Sequence, residues 1–412
     1  MPSEETQVIV GASLAGAKAA ETLREDGFTG RVVLVGAETE RPYERPPLTK
    51  GYLLGKEERS GAYVHDEGWY ADNNVELLLG VAAVGIDRSA HEVRLADGRR
   101  LAYDKLLLTT GASPRRLATP GADLTGVHYV RTMGDAMALQ EALRPGDKRV
   151  VVVGAGWIGL EAAAAAREYG NEVTVVEPDP TPLYRHLGPE LGESFAELHR
   201  RHGVEFVLGE GVAEVRGSGR LTGVVTTGDR ELPADLVIVG IGVVPNTGLA
   251  EAAGLEVDNG IVVDSSLRTS DPDVYAAGDV ANFQHPLLGR RIRVEHWSNA
   301  LDGGPVAARA MLGQDVVYDR IPYFFTDQYD LGMEAAGVPV PGEYDAVVYR
   351  GDVSGGEYIA FWLAGGRVVA GMNVNVWDVT DDIQALIRSG RPVEVARLTD
   401  PKVPLADLAA ES

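Results

Sequence analysis

A glycine-rich turn in the middle of the chain has the residue types needed to hold a pyrophosphate. It reads Gly154-Ala155-Gly156-Trp157-Ile158-Gly159 and directly follows the apolar run Val150–Val153. In dinucleotide-binding folds the first glycine makes the tight turn, the second lets the backbone approach the phosphates, and the third lets helix and strand pack closely. The phosphates then lie at the positive end of the following helix.

Glu177 supplies the second part of this predicted nucleotide site. It lies 23 residues after Gly154, at the end of the next apolar run, where a carboxylate can accept hydrogen bonds from ribose hydroxyls. Because a carboxylate there repels a 2′-phosphate, we predict NADH rather than NADPH. A glycine-rich turn alone is also compatible with a plain strand–helix junction, but the strand, the helix and the acid together favour the nucleotide site.

A related turn, Gly11-Ala12-Ser13-Leu14-Ala15-Gly16, follows the apolar run Val8–Val10. Ser13 replaces the middle glycine, and its small side chain carries a hydroxyl that can bond to phosphate. Two other interpretations stay open, a structural strand-to-helix connection and the Gly-x-Ser-x-Gly nucleophile elbow of a hydrolase. Ala15 stands where that elbow has its last glycine, and no oxyanion-hole signature accompanies it, so the hydrolase is disfavoured.

A third candidate contact is Gly278-Asp279, at the end of the stretch Tyr275–Asp279. A carboxylate fixed beside a nucleotide can hold the hydroxyl chain that links a flavin ring to its phosphates. Gly-Asp is also a common turn, so this signal is weak when it is taken alone.

The composition excludes several other chemistries. The chain has no cysteine, which rules out disulfides, Cys-ligated metals and thiol nucleophiles, so electron chemistry needs a bound organic cofactor. The spacing of His199 and His202 suits a metal on a helix, but two histidines without a third ligand predict a surface pair and no metal. A net charge of −23 argues against binding to nucleic acids or anionic membranes.

The two turns belong to one plan that occurs twice. In each copy a short apolar strand, a glycine-rich turn, a helix and a second strand follow in that order, and this alternation is typical of doubly wound parallel sheets. Each copy then has a hairpin signal, Asp97-Gly98 or Gly228-Asp229, and a Gly-x-x-Pro segment beginning at Gly111 or Gly242. We therefore predict an α/β protein with two related, Rossmann-like dinucleotide-binding domains.

From about Tyr318 the pattern changes to antiparallel strands separated by glycine-rich turns, followed by a helix over residues 380–389 that stops at Gly390. This predicts a third domain of α+β type. The longest apolar runs are only strand-sized, and the N-terminal residues show no basic segment followed by an apolar one. We therefore expect a cytoplasmic protein with neither a membrane span nor a signal peptide.

With these motifs in place, the chain resembles the flavoprotein reductases that contain two dinucleotide folds. It is most similar to the bacterial NADH-dependent ferredoxin reductases that serve cytochromes P450 and aromatic-ring dioxygenases. The resemblance covers essentially the whole chain. Its most specific parts are Arg45-Pro46-Pro47-Leu48-Thr49-Lys50 and Glu295-His296-Trp297, and Pro322–Gln328 extends it into the third domain.

The resemblance implies an FAD-binding domain over residues 1–112 and 243–317, an NADH-binding domain over 113–242 and a C-terminal domain over 318–412. Ala37 stands where many relatives have aspartate, so the ribose contact is expected from Glu38. The residues expected to bind FAD are Gly11, Ser13, Leu14, Ala15, Gly16, Glu38, Arg45, Lys50, Ala83, Thr110, Gly111, Arg131, Gly278, Asp279 and Trp297. Those expected to bind NADH are Gly154, Gly156, Ile158, Gly159, Glu161, Glu177 and Gly242.

The resemblance also implies a catalytic pair. Relatives place a lysine and a glutamate beside the reactive edge of the flavin, and Lys50 and Glu161 match these positions. We predict a partly buried ion pair in which Lys50 stabilises negative charge as the flavin is reduced. The alternative is that both are solvated surface charges. Trp297, which is expected beside the flavin, could equally be an ordinary core residue.

The implied partner is a ferredoxin of [2Fe-2S] or [3Fe-4S] type, which in turn feeds a cytochrome P450 or another oxygenase. Ferredoxins are generally acidic, so a local positive patch is needed to attract one to a chain of this charge. Arg290, Arg291, Arg293 and Arg309 are the candidates for this patch, although they could be scattered charges on a solvated face.

Two alternative functions remain open from the sequence. One is a regulatory NADH-binding flavoprotein like the apoptosis-inducing-factor relatives, which carry a long insertion in the third domain. The 95 residues from Tyr318 to Ser412 leave little room for that insertion, so a reductase is favoured. The other alternative is a rubredoxin reductase or the reductase component of a dioxygenase system, which the sequence alone does not distinguish because the acceptor is recognised by surface shape.

Overall fold

The structure, a computed structural model, describes residues 5–411. The chain clusters into two compact units, each built from three stretches. The first unit contains residues 5–45, 58–113 and 243–322, and the second contains 46–57, 114–242 and 323–411. The segment 46–57 therefore packs with the predicted NADH-binding and C-terminal domains rather than with the FAD-binding stretches. Leu53 of this segment is fully buried in the apolar core of the second unit.

Alternating apolar runs and turn residues give the strands, whose bounds within residues 5–411 are β1 Thr6–Val10, β2 Arg31–Val35, β3 Val75–Leu78, β4 Ala83–Asp87, β5 Glu92–Leu95, β6 Arg100–Ala102, β7 Lys105–Leu108, β8 Ala112–Pro114, β9 Val127–Tyr129, β10 Arg149–Val153, β11 Glu172–Glu177, β12 Val204–Leu208, β13 Val212–Ser218, β14 Arg220–Thr226, β15 Glu231–Pro233, β16 Leu236–Val239, β17 Val243–Pro245, β18 Ile261–Val263, β19 Val274–Ala276, β20 Ala281–His285, β21 Arg290–Arg293, β22 Tyr323–Gln328, β23 Leu331–Gly337, β24 Ala346–Asp352, β25 Glu357–Ala364 and β26 Arg367–Val374.

The α-helices in the same part of the chain are α1 Leu14–Glu25, α2 Trp69–Asp72, α3 Met133–Leu143, α4 Trp157–Glu168, α5 Tyr184–Leu187, α6 Pro189–Arg201, α7 Gly248–Ala252, α8 Trp297–Met311, α9 Thr380–Ser389, α10 Val395–Thr399 and α11 Leu405–Glu411. Short 3-10 helices cover Pro46–Thr49, Arg59–Ala62 and Gly278–Val280. None of the helices within residues 5–411 has the length and apolar composition needed to cross a bilayer.

Each unit contains a five-stranded parallel sheet, and the two sheets have corresponding strand orders. The order is β19-β7-β1-β2-β3 in the first unit and β9-β16-β10-β11-β12 in the second. All neighbouring strands in both sheets are parallel. The predicted duplication is confirmed, and β1–α1–β2 corresponds to β10–α4–β11. The central strands are apolar along their length because both faces of such a sheet are covered.

Smaller sheets complete both units. The antiparallel strands β4-β5-β6 and β13-β14-β15 are the predicted hairpin regions, and β18-β20-β21 forms a further small sheet in which β18 and β20 are parallel. The last part of the second unit is an antiparallel sheet with the order β22-β23-β26-β25-β24. Helix α9 occupies residues 380–389 as predicted, and Gly390 ends it in the left-handed conformation that glycine adopts without strain.

Two adjacent glycines control the helix packing in the core of the first unit. Gly304 of α8 lies so close to α1 that an added Cβ would stand 2.3 Å from the carbonyl oxygen of Ala15. An added Cβ at Gly303 would meet only ordinary contacts at 3.7 Å or more, the nearest being the backbone nitrogen of Gly278. Helix α8 therefore holds both the first glycine-rich turn and the Gly278-Asp279 turn in place.

Candidate functional site

The turn between β10 and α4 has the geometry of a phosphate cradle. Gly154 has a φ of +98°, and an added Cβ there would lie 2.5 Å from the carbonyl oxygen of Gly240. At Gly159 an added Cβ would lie 2.1 Å from the carbonyl oxygen of Gly154. At Gly156 an added Cβ would meet no heavy atom of the described chain within 4 Å. Two glycines thus close the turn and the middle one leaves open space, as pyrophosphate binding requires.

Glu177 borders this cradle at the end of β11. Its Oε2 accepts a 2.6 Å hydrogen bond from the backbone N–H of Ala155, and its Oε1 accepts one of 2.9 Å from Asp179. These two bonds hold the carboxylate beside the glycine-rich turn. Ile158 on α4 has 45% of its surface exposed, and Gly242 follows β16 with a φ of +92°.

The turn between β1 and α1 repeats the same contacts in the first unit. At Gly11 an added Cβ would lie 2.1 Å from the carbonyl oxygen of Thr109, and at Gly16 it would lie 2.2 Å from the carbonyl oxygen of Gly11. Ser13 occupies the place of Gly156 and is the N-cap residue of α1, without capping it through its hydroxyl within the described chain. The first turns of α1 and α4, Leu14-Ala-Gly-Ala and Trp157-Ile-Gly-Leu, contain no charged residue. Both helix N-termini are therefore suited to an anionic phosphate.

The Gly278-Asp279 turn lies against the first cradle. Gly278 has a φ of +75°, and its missing Cβ would stand 3.3 Å from the Cβ of Ala15. Asp279 follows in a 3-10 helix, and its charge contributes to the field at Arg45. The two motifs are about 260 residues apart in sequence and adjacent in the first unit. Together they fit one dinucleotide, and the Gly154 cradle with Glu177 fits a second.

Glu38 is held by two neighbours after the end of β2. Its carboxylate accepts hydrogen bonds from the Tyr43 hydroxyl at 2.5 Å and from the Arg45 guanidinium at 3.1 Å. Burial opposes the charge of Arg45, but the surrounding acidic groups, Tyr43, Glu38 and Asp279, outweigh it and raise the pKa of the guanidinium. Glu38 and Arg45 thus form one polar cluster in the first unit.

The remaining predicted contacts are distributed over both units. Thr110 donates from its hydroxyl to the carbonyl of Asn246, whose side chain donates back to the carbonyl of Thr110. The backbone N–H of Asn246 also donates to Gly111. Ala83 begins β4. Arg131 lies in the second unit just before α3, and its backbone N–H donates to the side chain of Asp135.

Lys50 and Glu161 form the predicted ion pair within the second unit. The Lys50 Nζ lies 2.5 Å from Glu161 Oε1, with 16% of the lysine side chain and 2% of the glutamate side chain exposed. The Lys50 ammonium also lies 5.2 Å from the centre of the Phe325 ring. The interpretation of these residues as solvated surface charges is therefore wrong. Breaking a buried pair of this kind typically costs about 3–5 kcal/mol.

Two threonines complete the shell of Glu161, and sequence reasoning missed both. The Thr49 hydroxyl donates to Oε2 at 2.5 Å, and the Thr326 hydroxyl donates to Oε1 at 2.6 Å. With Lys50 they give the carboxylate three hydrogen-bond donors, which hold it in one position. The available signal was on β22, where the alternate residues Thr326 and Gln328 are buried although both are polar.

Trp297 begins α8, with His296 as its N-cap residue. Its indole Nε1 donates a 3.0 Å hydrogen bond to Glu44 within the first unit. Burial raises the pKa of the Glu44 carboxyl, and the bond from Trp297 opposes that change. Trp297 is partly exposed, so it is not an ordinary core residue.

Two of the four candidate docking arginines pair with acids within the first unit. Arg293 pairs with Glu295 at 2.5 Å and has only 10% of its side chain exposed, and Arg309 pairs with Asp26 at 3.1 Å. Arg291 is exposed and donates to the backbone carbonyls of Val263 and Asn282. Arg290 lies beside it on β21. The contribution of Arg293 and Arg309 to a positive surface is thus reduced by adjacent acids.

The prediction of a surface histidine pair is wrong for His199. This residue is fully buried on α6, where its Nε2 contacts Gln328 Oε1 at 2.7 Å. His202 instead stacks on Tyr329, with ring centres 3.8 Å apart. Within residues 5–411, no cluster of three or more potential acidic or histidine ligands could hold a metal ion.

Comparison with known proteins identifies both parts of the chain. Residues 6–304 match the family described as pyridine nucleotide-disulphide oxidoreductase, and residues 323–409 match the reductase C-terminal domain.

Two curated relatives are each 41% identical to this chain. One is the ferredoxin–NAD(+) reductase component of the anthranilate 1,2-dioxygenase system of Burkholderia cepacia, with the match covering 98% of this chain and 99% of the relative. The other is rhodocoxin reductase of Rhodococcus erythropolis, with 89% and 86% covered. Among solved structures, the covalent putidaredoxin reductase–putidaredoxin complex superimposes with a TM-score of 0.95, at 37% identity and with 99% of both chains covered.

Proposed function

Because the chain belongs to the pyridine nucleotide-disulphide oxidoreductase family and continues into the reductase C-terminal domain, we propose that it is the NADH-dependent ferredoxin reductase of an oxygenase system. The observation that carries this proposal is the pair of phosphate cradles, one in each unit of a chain that has no cysteine. Such a chain is built to hold two dinucleotides and has no dithiol to reduce.

When bound, FAD accepts a hydride from NADH and passes the two electrons singly to an iron–sulfur protein. The second unit has the residues that would bind NADH. The N–H groups at the start of α4 would hold the pyrophosphate, for which Gly156 leaves room, and Glu177 would accept hydrogen bonds from the ribose hydroxyls. The negative charge of Glu177 disfavours the additional phosphate of NADPH.

The residues of the first unit hold FAD. The N–H groups at the start of α1 and the Ser13 hydroxyl would bind its pyrophosphate, and Glu38 would contact the ribose. Asp279 would accept hydrogen bonds from the hydroxyl chain of the cofactor. The close packing of Gly278 on Ala15 supports this assignment, because it places the Gly278-Asp279 turn beside the pyrophosphate cradle.

Lys50 and Glu161 are the proposed catalytic pair. Lys50 keeps a positive charge where negative charge develops during flavin reduction, and Glu161 holds the ammonium in one position. The support for this role is the low exposure of the pair and the three donors that hold Glu161 in place. An exposed lysine would instead be screened by water and mobile.

The partner is proposed to be a [2Fe-2S] or [3Fe-4S] ferredoxin that serves a cytochrome P450 or another oxygenase, and the location to be cytoplasmic. Among the curated relatives, the one from Burkholderia cepacia is a component of a dioxygenase system. Arg290, Arg291, Arg293 and Arg309 are the arginines that we propose to attract the acidic partner, and two of them, Arg293 and Arg309, also pair with acids of this chain.

Stopped-flow oxidation of the NADH-reduced protein tests this function. The FAD-loaded protein is reduced anaerobically with one equivalent of NADH and mixed with a panel of oxidised [2Fe-2S] and [3Fe-4S] ferredoxins and a rubredoxin. We expect rapid one-electron reduction of one ferredoxin, which is monitored through the absorbance of the cluster and of the flavin. Slow reduction of every acceptor, or a colourless protein that cannot be reconstituted with FAD, would contradict the proposal.

A further inference from the structure

A line of buried polar side chains runs through the second unit from Glu161 to His199. The Thr326 hydroxyl lies 2.6 Å from Glu161, the Gln328 amide nitrogen lies 3.1 Å from the Thr326 oxygen, and the His199 Nε2 lies 2.7 Å from the Gln328 amide oxygen. None of the four is more than 3% exposed. Buried polar groups in a low dielectric are costly unless each is satisfied, so this arrangement requires an explanation.

The direction of every bond in this line follows from the carboxylate at its end. An ionised carboxylate can only accept, so the Thr326 hydroxyl must donate its single proton to Glu161. The Thr326 oxygen can then only accept, so the NH₂ group of Gln328 must face it. The Gln328 oxygen therefore faces His199, and His199 must carry its proton on Nε2.

His199 is suited to be a neutral donor. Burial lowers the pKa of its imidazole to about 4, so the ring is uncharged near neutral pH. The charged or titratable groups nearby are His202 and Tyr329, with the Tyr329 hydroxyl 3.5 Å from Nδ1. At the other end, the groups facing Glu161 are Lys50 and Asp327. The line thus joins a neutral donor to a charged acceptor.

We propose that Gln328 and His199 are positioning residues for the Lys50–Glu161 pair, forming a one-way chain of donors that fixes the Thr326 hydroxyl on Glu161. Without this chain the hydroxyl can rotate, and the carboxylate loses one of its donors. The Glu161 carboxylate is then free to turn, and Lys50 loses its fixed counter-ion. This positioning role rests on the proposed function of the pair, whereas the existence of the hydrogen-bonded chain from His199 to Glu161 does not rest on it.

Nitrogen NMR of the FAD-loaded protein labelled with ¹⁵N-histidine tests the chain without measuring activity. The His199 signal is assigned by its absence in the His199→Gln variant. We expect a neutral imidazole with its proton on Nε2 that does not titrate between pH 6 and pH 8, and a mixture of tautomers in Thr326→Val and Gln328→Leu. A proton on Nδ1, or a charged ring at pH 7, would overturn the proposal, and the wild-type protein alone is enough for this measurement.

Single-turnover reduction of the flavin by NADH at pH 7 tests the positioning role. In His199→Met and Gln328→Leu, which remove a donor, we expect the rate of flavin reduction to fall about tenfold. The Kd for NADH should stay unchanged. His199→Gln retains one donor and should restore most of the wild-type rate. Equal rates in His199→Met and His199→Gln overturn the positioning role.

Lys50→Met separates failure of this inference from failure of the proposed function. We expect it to slow flavin reduction at least tenfold at every pH, since the positive charge is lost. A wild-type rate in Lys50→Met would overturn the catalytic role of the pair, and with it the positioning role, while the tautomer of His199 would still report on the chain. A slow Lys50→Met together with wild-type rates in Gln328→Leu and His199→Met would overturn the positioning role alone.

Discussion

The two outer glycines of the second cradle and its middle glycine are required for different reasons. Gly154 and Gly159 face backbone atoms at contact distances that no side chain fits, so they are needed for the fold. Gly156 faces open space, so it is needed for the ligand. The sequence predicted all three because the pattern is local. It did not predict the contact of Thr326 with Glu161, because 165 residues separate them and threonine is common in strands.

Alanine substitutions at Gly156 and Gly159 should therefore affect different properties, ligand binding at Gly156 and stability at Gly159. Gly156→Ala should keep the wild-type melting temperature but raise the Kd for NADH and for ADP-ribose about tenfold, because the methyl group occupies the approach to the pyrophosphate. Gly159→Ala should lower the free energy of unfolding by about 1–3 kcal/mol through overpacking of α4 on its turn. Calorimetric melting and titration with ADP-ribose measure both effects, and equal melting temperatures in the two variants would contradict this account.

At the scale of elements, local signals predicted which segments are helices and strands, while the packing between distant segments was not readable. The helix at residues 380–389 was predicted from its acidic first turn and its terminal glycine, and both paired hairpins were predicted from their turn residues. The contact of α1 with α8 joins segments about 280 residues apart. Its only trace in the sequence is Gly303-Gly304 inside a helix, where glycine is otherwise unfavourable.

The adjacent glycines of α8 provide a matched pair of variants for this packing. Gly304→Ala should push α8 away from the Ala15 carbonyl, lower the free energy of unfolding by about 1–3 kcal/mol and speed the release of FAD. Gly303→Ala meets ordinary contacts and should be neutral or slightly stabilising. Denaturant unfolding and the rate of flavin fluorescence recovery on dilution measure the two effects. Equal destabilisation by both substitutions would show that α8 does not depend on this approach.

For the whole molecule, the main electrostatic problem is a net charge of −23 in a protein proposed to bind an acidic partner. The sequence identified the four arginines but not their neighbours, because Asp26 is 283 residues away from Arg309. Local ion pairs cancel part of such a patch, and only fields within about 10 Å act at ordinary ionic strength. Attraction of a ferredoxin must therefore come from the positive field that remains around these arginines after their local pairing.

Reversing the charge at Arg290 and Arg291 together should raise the KM for the ferredoxin about tenfold and leave the reduction of ferricyanide unchanged. The double variant Arg99→Glu with Arg100→Glu changes the net charge equally on an exposed hairpin and serves as the control. Steady-state kinetics at low and moderate salt measure both. A similar rise in KM in the control would assign the effect to the net charge of the molecule.

The strand order of the first sheet also affects the order in which the two parallel sheets can fold during translation. Strand β19 completes this sheet beside β7, although 166 residues separate Leu108 from Val274 in the chain. At about 5–20 residues per second, the ribosome needs on the order of ten seconds or more to bridge that interval. The second parallel sheet draws only on residues 127–239 and can finish earlier. A nascent chain can therefore complete the dinucleotide fold proposed for NADH before it completes the fold proposed for FAD.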